Sequence, residues 1–301
     1  MKRMMSQAWT ALGVAVIAAA SLSAQQQDFS QVQIKTTKIG NNFYTLEGQG
    51  GTTGALVGPD GVFLVDSQFA PLTEKIVAAV KQISTTSIKM VVNTHVHGDH
   101  TGGNNNLGKM GVVILGRPEL RARLLKPAPG ANGTTPPPAP AAALPLVMYT
   151  SRTTVQMNGE DIQLIPIAVA HTDGDTIVYF PTNDVLMMGD YFRTVGFPNI
   201  DRNGGGTLKG LIDGLQTAYD LAKPTTKVVP GHGAVSDKAG LAAHRDMVIA
   251  IRDKVAPLVQ QGKTLEEVIA SKPTAAFDGR VPNPGTTGDR FIGQLYAELK
   301  K

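Results

Sequence analysis

Val91-Val92-Asn93-Thr94-His95-Val96-His97-Gly98-Asp99-His100 is a β-branched apolar run that ends in an H-x-H-x-D-H pattern. The apolar part reads as the end of a strand, Ile88 to Val92, buried in a sheet. Four metal-competent side chains then fall within six positions, His95 to His100. A helix would spread them around its circumference, whereas a loop leaving a strand turns several inward at once. Imidazole and carboxylate are the ligands zinc takes when one coordination position must stay open for chemistry. The chain has no cysteine, so every thiolate-ligated site is excluded and the ligands must be His, Asp or Glu.

The remaining histidines sharpen this reading. Of six in the chain, three lie in the run. His171 follows the stretch Ile165 to Ala170 and precedes Thr172-Asp173-Gly174-Asp175, and His232 is the centre of Gly231-His232-Gly233. Asp190 sits in Gly189-Asp190 at another strand end. His95, His97, Asp99, His100, His171, Asp190 and His232 are therefore the candidate ligands, enough for two ions with an open position between them. His244 lies on the apolar face of a helix and reads as a packed histidine.

Working outward, Phe43 to Leu46, Gly54 to Val57 and Val62 to Val65 read as strands, the last behind the turn Gly58-Pro59-Asp60-Gly61. Leu72, Ile76, Ala79, Val80 and Ile83 recur at helical spacing before the strand that delivers the motif. The second half repeats this order. Thr176 to Phe180 and Val185 to Met188 form a hairpin, Leu211, Leu215, Ala218 and Leu221 a helix, and Lys227 to Pro230 a strand that delivers His232. The repetition predicts an α/β protein of two similar halves packed face to face, with every candidate ligand at one edge. Leu241, His244, Val248, Ile251 and Val255 mark a further helix that Pro257 would end, and short helices follow around Leu265 to Ile269 and Phe291 to Leu299.

Several segments carry two readings. Pro127 to Pro145 is too proline-rich for a helix or central strand, and is either a flexible surface excursion or an active-site lid. Asp66 and Asp175 are each either the acceptor of an imidazole N–H or a turn or helix-start aspartate. Tyr191, Phe192, Phe197 and Pro198, with Asn203-Gly204-Gly205-Gly206, either wall the substrate or pack their own loop down.

The start of the chain is different in character. Lys2 and Arg3 precede an apolar stretch, Ala11 to Ala20, and small residues Ser21, Ser23 and Ala24 follow, which predicts a secretory signal peptide over residues 1–24 and one domain over 25–301. The apolar run is shorter than the roughly 20 residues of a spanning helix, so no stable membrane anchor is expected after cleavage. The mature chain would be periplasmic or secreted. Loss of Lys2 and Arg3 takes the formal net charge from +4 to +2, which gives no case for nucleic acid or anionic membranes and leaves a small-molecule substrate. Trp9 goes too, so a substrate pocket must use Phe, Tyr and aliphatic walls.

The run from about Asn41 to His232, and above all Asn93 through Gly103-Asn104, resembles the metallo-β-lactamase-fold superfamily of metal-dependent hydrolases. The resemblance implies a four-layer αββα sandwich and two zinc ions, with iron or manganese as alternatives. It assigns His95, His97 and His171 to one ion, Asp99, His100 and His232 to the other, and Asp190 to both. Two such ions would share a hydroxide that attacks a carbonyl, with Asp99 steering it and passing a proton to the leaving group. The β-lactamases of this family typically carry cysteine or serine where Asp190 falls, whereas glyoxalase II-like thioester hydrolases and lactonases carry aspartate. The implied activity is therefore hydrolysis of a small ester, lactone, thioester or amide. β-Lactam hydrolysis is the alternative, and an iron-dependent oxidoreductase of the same fold comes third.

Overall fold

The computed structural model describes residues 28–129, 134–167, 169–282 and 284–300; the expected signal peptide lies outside them. Strands β1 (Lys35–Lys38), β2 (Phe43–Glu47), β3 (Thr53–Leu56), β4 (Val62–Val65), β5 (Ile88–Val92), β6 (Val113–Gly116) and β7 (Val147–Met148) form a seven-stranded sheet in that order. Strands β8 (Thr153–Met157), β9 (Glu160–Pro166), β10 (Thr176–Phe180), β11 (Val185–Met187) and β12 (Lys227–Val229) form a second, in the order β12-β11-β10-β9-β8. The helices are α1 (Thr73–Ile83), α2 (Gly98–Thr101), α3 (Asn104–Lys109), α4 (Pro118–Leu125), α5 (Leu208–Leu221), α6 (Lys238–Gln260), α7 (Leu265–Ala270) and α8 (Pro284–Leu299).

Strand alternation dictates the layering, because successive side chains leave opposite faces of a sheet. On β4, Phe63 and Val65 meet Ile162, Leu164, Val178 and Phe180 of the second sheet in the central core. Val62 and Leu64 turn the other way, onto Ile76 and Val80 of α1. On β10, Ile177 and Tyr179 face outward onto Leu211 and Leu215 of α5, Val248 and Ile251 of α6, and Phe291 and Leu295 of α8. The result is the expected αββα sandwich. Each buried aliphatic or aromatic side chain contributes about 1.5–3 kcal/mol.

The two halves share a connection. Hairpins β3–β4 and β10–β11 are antiparallel, and after α1 or α5 the next strand pairs parallel to the second hairpin strand, β5 with β4 and β12 with β11. The chain therefore leaves β4, β5, β11 and β12 beside the same cluster of side chains, at Asp66, at the histidine run, at Asp190 and at His232.

Two details depart from the sequence reading. Helix α6 continues through Pro257 to Gln260. A proline this close to the end forfeits little of the helix ladder, and Val248, Ile251 and Val255 have already docked the helix in the outer core. The 139–145 part of the Pro/Ala-rich stretch is pinned, which departs from the flexible surface excursion that is one of its two readings. Ala139 N donates to Leu124 O at 2.8 Å, Ala141–Ala143 form a 3-10 helix, and the buried Ala143 accepts from Asn104 Nδ2 at 3.2 Å. Among the described residues no helix is long and apolar enough to cross a membrane.

Candidate metal centre

The histidine loop is held by a buried amide clasp. Asn104 Nδ2 donates to Asn93 Oδ1 at 2.8 Å, Asn93 Nδ2 donates to His100 O at 3.0 Å, and Ser67 Oγ donates to Asn104 Oδ1 at 2.9 Å. Thr52 N donates to Gly231 O at 2.8 Å and ties the loop of one half to that of the other. Gly231 is needed for space, since a Cβ there would stand 2.1 Å from Asp190 Oδ1. The backbone thus presses directly against the site.

Hydrogen bonds decide which nitrogen of each imidazole faces inward. Asp66 is buried at φ +64°, a conformation in which aspartate is among the better tolerated residues. Its Oδ1 accepts from Thr94 N at 2.7 Å, and its Oδ2 accepts from Thr94 Oγ1 and lies 2.7 Å from His100 Nδ1. His100 Nδ1–H therefore donates to Asp66. With the Thr94 hydroxyl hydrogen committed to Asp66, its oxygen accepts from His95 Nδ1, 3.1 Å away. His97 Nε2–H donates to Asp201 Oδ2 at 2.9 Å, and His171 Nδ1–H donates to Asn199 O at 2.7 Å. The inward nitrogens are thus Nε2 of His95, Nδ1 of His97, Nε2 of His100 and Nε2 of His171. Such outer partners orient ligating imidazoles and raise their basicity.

The inward atoms gather into two groups, His95, His97, His171 and Asp190 in one and Asp99, His100 and His232 in the other, with the donor atoms of each within 4.8 Å of one another. Asp190 spans both, its Oδ1 3.2 Å from His100 Nε2 and from His232 Nε2, its Oδ2 3.9 Å from His171 Nε2. His232 Nε2 also lies 3.0 Å from Asp99 Oδ2. His95 Nε2, His100 Nε2 and Asp190 Oδ1 are buried with no hydrogen-bond partner. Orphaned polar atoms are costly in a folded interior, and three that converge among imidazoles and carboxylates fit bound cations.

The electrostatics agree. Burial, aided by His100 and His171, holds His95 well below the ordinary histidine range, and burial brings His171 down to about 4, so both imidazoles are neutral, the form in which a histidine can ligate. Burial would also neutralise His100, but Asp66 and Asp190 outweigh it and raise its pKa well above normal. Asp190 and Asp99 would be pushed up by burial, yet the surrounding histidines keep Asp190 well below the carboxylate range and Asp99 at about 2.

All seven candidate ligands from the sequence meet here. Of the two readings for Asp66, the structure has the imidazole acceptor. Asp175 holds backbone instead, accepting from His171 N at 2.6 Å and Thr172 N at 2.9 Å. His244 falls in neither group and is buried against Phe192 with ring centroids 5.0 Å apart. Tyr191, Phe192 and Phe197 are buried in the outer core, so they pack the loop down rather than wall a substrate. Asp201, Asn199 and Arg193, whose Nη1 is 3.5 Å from Asp190 Oδ2, escaped the sequence reading. Asp201 lies 104 residues from His97 and sits in what reads as an ordinary Asp-Arg-Asn-Gly turn.

Beside His97 opens a cavity of about 660 Å³, lined by Val96, Leu124, Pro127 and Pro137 together with Asp201 and Asn203. It adjoins the ligand cluster at His97 and is large enough to take a small molecule.

Comparison with known proteins agrees with this geometry. A family model described as the metallo-beta-lactamase superfamily matches residues 47–232, more than half the chain. A metallo-beta-lactamase type 2 from Bacillus sp. (strain 170) is 23% identical over 185 residues, covering 61% of this chain and 66% of that protein. A metallo-beta-lactamase type 2 from Bacillus cereus is 24% identical, covering 61% of this chain and 67% of that protein. The solved metallo-beta-lactamase from Pontibacter korlensis shares the fold with a TM-score of 0.59 at 20% identity, over 72% of this chain and 99% of that one. With its sandwich of two sheets and its His and Asp side chains positioned to bind metal ions, the chain belongs to the metallo-beta-lactamase superfamily.

Proposed function

We propose that the protein is an exported dinuclear zinc hydrolase that cleaves a carbonyl compound: a small ester, lactone, thioester or amide. The observation that carries this reading is the convergence of tautomer-fixed imidazoles and orphaned acceptors in two groups joined by Asp190. His95, His97 and His171 would hold one ion, Asp99, His100 and His232 the other, with Asp190 serving both. Bound there, zinc lowers the pKa of water toward neutrality and polarises the carbonyl under attack. Asp99 is the ionised carboxylate of the cluster that remains partly open to solvent. It is suited to orient the attacking water at Oδ2, take up the proton which that water gives up as it adds to the carbonyl, and hand that proton to the leaving group. The Lys2-Arg3 start and the apolar stretch Ala11 to Ala20 support export.

β-Lactam hydrolysis is the second reading, favoured by the two relatives named metallo-beta-lactamase type 2. Against it stands Asp190, where the resemblance puts cysteine or serine in β-lactamases. One experiment separates these readings. The mature chain is purified, its metals are counted, and nitrocefin, lactones, esters, thioesters and phosphodiesters are assayed together. About two zinc ions per chain with ester, lactone or thioester turnover supports the proposal. Nitrocefin turnover at enzyme-like efficiency replaces it with a β-lactamase, phosphodiester turnover alone moves the substrate away from carbonyls, and stoichiometric iron with peroxide or persulfide turnover makes the protein an oxidoreductase. Asp99→Ala is expected to abolish turnover. Near wild-type rates with both metals bound would remove Asp99 from the chemistry.

A further inference from the structure

We infer that the cavity beside His97 seats an uncharged apolar arm of the substrate, an acyl chain or a ring, so that the substrates are apolar esters, lactones or thioesters without a carboxylate on that arm. The inference rests on the hydrolase reading above and deepens it. At about 660 Å³ the cavity is within the range that buries most of a small molecule. His97 and Gly98 are part of its lining, so whatever fills it touches the ligand cluster at His97.

The walls decide the chemistry. Val96, Leu124, Pro127, Pro137 and Ala139 offer saturated carbon. Proline rings lose little freedom on ordering, so this wall is pre-shaped. The charged side chains that line the cavity are each already paired with a neighbour. Arg123 donates from Nε and Nη2 to both oxygens of Asp173, at 2.6 and 2.7 Å, and from Nη1 to Asn203 O at 2.9 Å. Asp201 accepts from His97 Nε2 and from Gly204 N, each at 2.9 Å. An incoming carboxylate would lose water and find, among the described residues that line the cavity, no unpaired cation, which is unfavourable unless an existing pair breaks. An alkyl chain breaks nothing and gains about three- to fourfold in binding for each methylene it buries.

The test uses the zinc-loaded mature chain and p-nitrophenyl esters from acetate to octanoate, with the hemisuccinate as the charged counterpart of the butyrate. The expected result is a kcat/KM that climbs about three- to fourfold per methylene until the cavity is full, and a hemisuccinate on the order of tenfold below the butyrate. Ala128→Asp, an exposed lining position, should lower the octanoate-to-acetate ratio on the order of tenfold, and Leu124→Asp, in the same apolar lining, should do the same, both checked for an unchanged melting transition. Binding of 2-butanone, 2-hexanone and 2-decanone by calorimetry gives a readout free of turnover. Ester hydrolysis with no dependence on chain length overturns the inference and leaves the hydrolase standing. Ketone binding that tightens with length, without hydrolysis of any ester, lactone or thioester, sinks the hydrolase and keeps the apolar cavity. Ketone binding that is independent of length, with no ester, lactone or thioester turned over, overturns both.

Discussion

Replacing Asp66 with asparagine separates the control of imidazole tautomers from the shape of the site. Asp66 Oδ1 accepts from the Thr94 backbone N–H, which can only donate, so the amide oxygen of the variant must take that place. Its NH2 then faces Thr94 Oγ1 and His100 Nδ1, each 2.7 Å from Oδ2 in the wild-type protein. An NH2 only donates, so His100 Nδ1 becomes an acceptor and its proton moves to Nε2, the inward atom. Thr94 Oγ1 likewise accepts, turns its hydrogen toward His95 Nδ1, and sends that proton to the inward Nε2 of His95. One donor in each ligand group is capped. Loss of an outer partner of this kind weakens metal binding by about 10–100-fold, or about 1.4–2.7 kcal/mol per ion. Asparagine accepts a φ of +64° as readily as aspartate, so the backbone has no reason to move. Chelator competition for the first and second zinc equivalents, with circular dichroism melts of the metal-free proteins, measures the effect. Wild-type affinity for both equivalents in a folded variant refutes the tautomer argument. Weakening confined to the Asp99, His100 and His232 group refutes the relay through Thr94.

Other consequences are open to measurement. Burial holds His244 at about 4 against an ordinary 6.5, so the unfolded chain takes up a proton that the folded chain refuses, and stability is lost as pH falls from 6.5 toward 4. That loss amounts to about 3 kcal/mol at full extent. Urea unfolding of His244→Leu should show a correspondingly shallower acid limb, and an equally steep one would place the titration elsewhere. Chelation should lower Tm on the order of 5–10 °C, because an ion present at a hundred times its Kd contributes about 2.7 kcal/mol; a melt indifferent to chelator means that the two groups bind no ion. Gly231→Ala puts a methyl 2.1 Å from Asp190 Oδ1 and should release at least one metal equivalent at a stability cost of about 1–3 kcal/mol. Full metal content in that variant would show that the carboxylate can give way.

The fold was legible where burial is two-sided or the period is clean. Val62 to Val65 and Thr176 to Phe180 are covered on both faces, so almost every residue is apolar and the strands stand out. The edge strands β1 and β8, Lys-Thr-Thr-Lys and Thr-Thr-Val-Gln-Met, are half exposed and carry little apolar contrast, so they pass for loop. Pro257 misled because a sequence position does not say how firmly its helix is docked.

The candidate site divides along the same line. The sequence by itself determined which side chains are competent to ligate and that they leave strand ends, because few residue types hold a metal and their spacing is local. Tertiary structure alone decided which nitrogen of each imidazole points inward, since that depends on acceptors such as Asp66, Asn199 and Asp201 brought from distant segments. It also decided that Tyr191 and Phe192 are core, and that Pro127 and Pro137 wall the cavity instead. An apolar residue looks the same in sequence whether protein or substrate covers it; only packing tells the two apart.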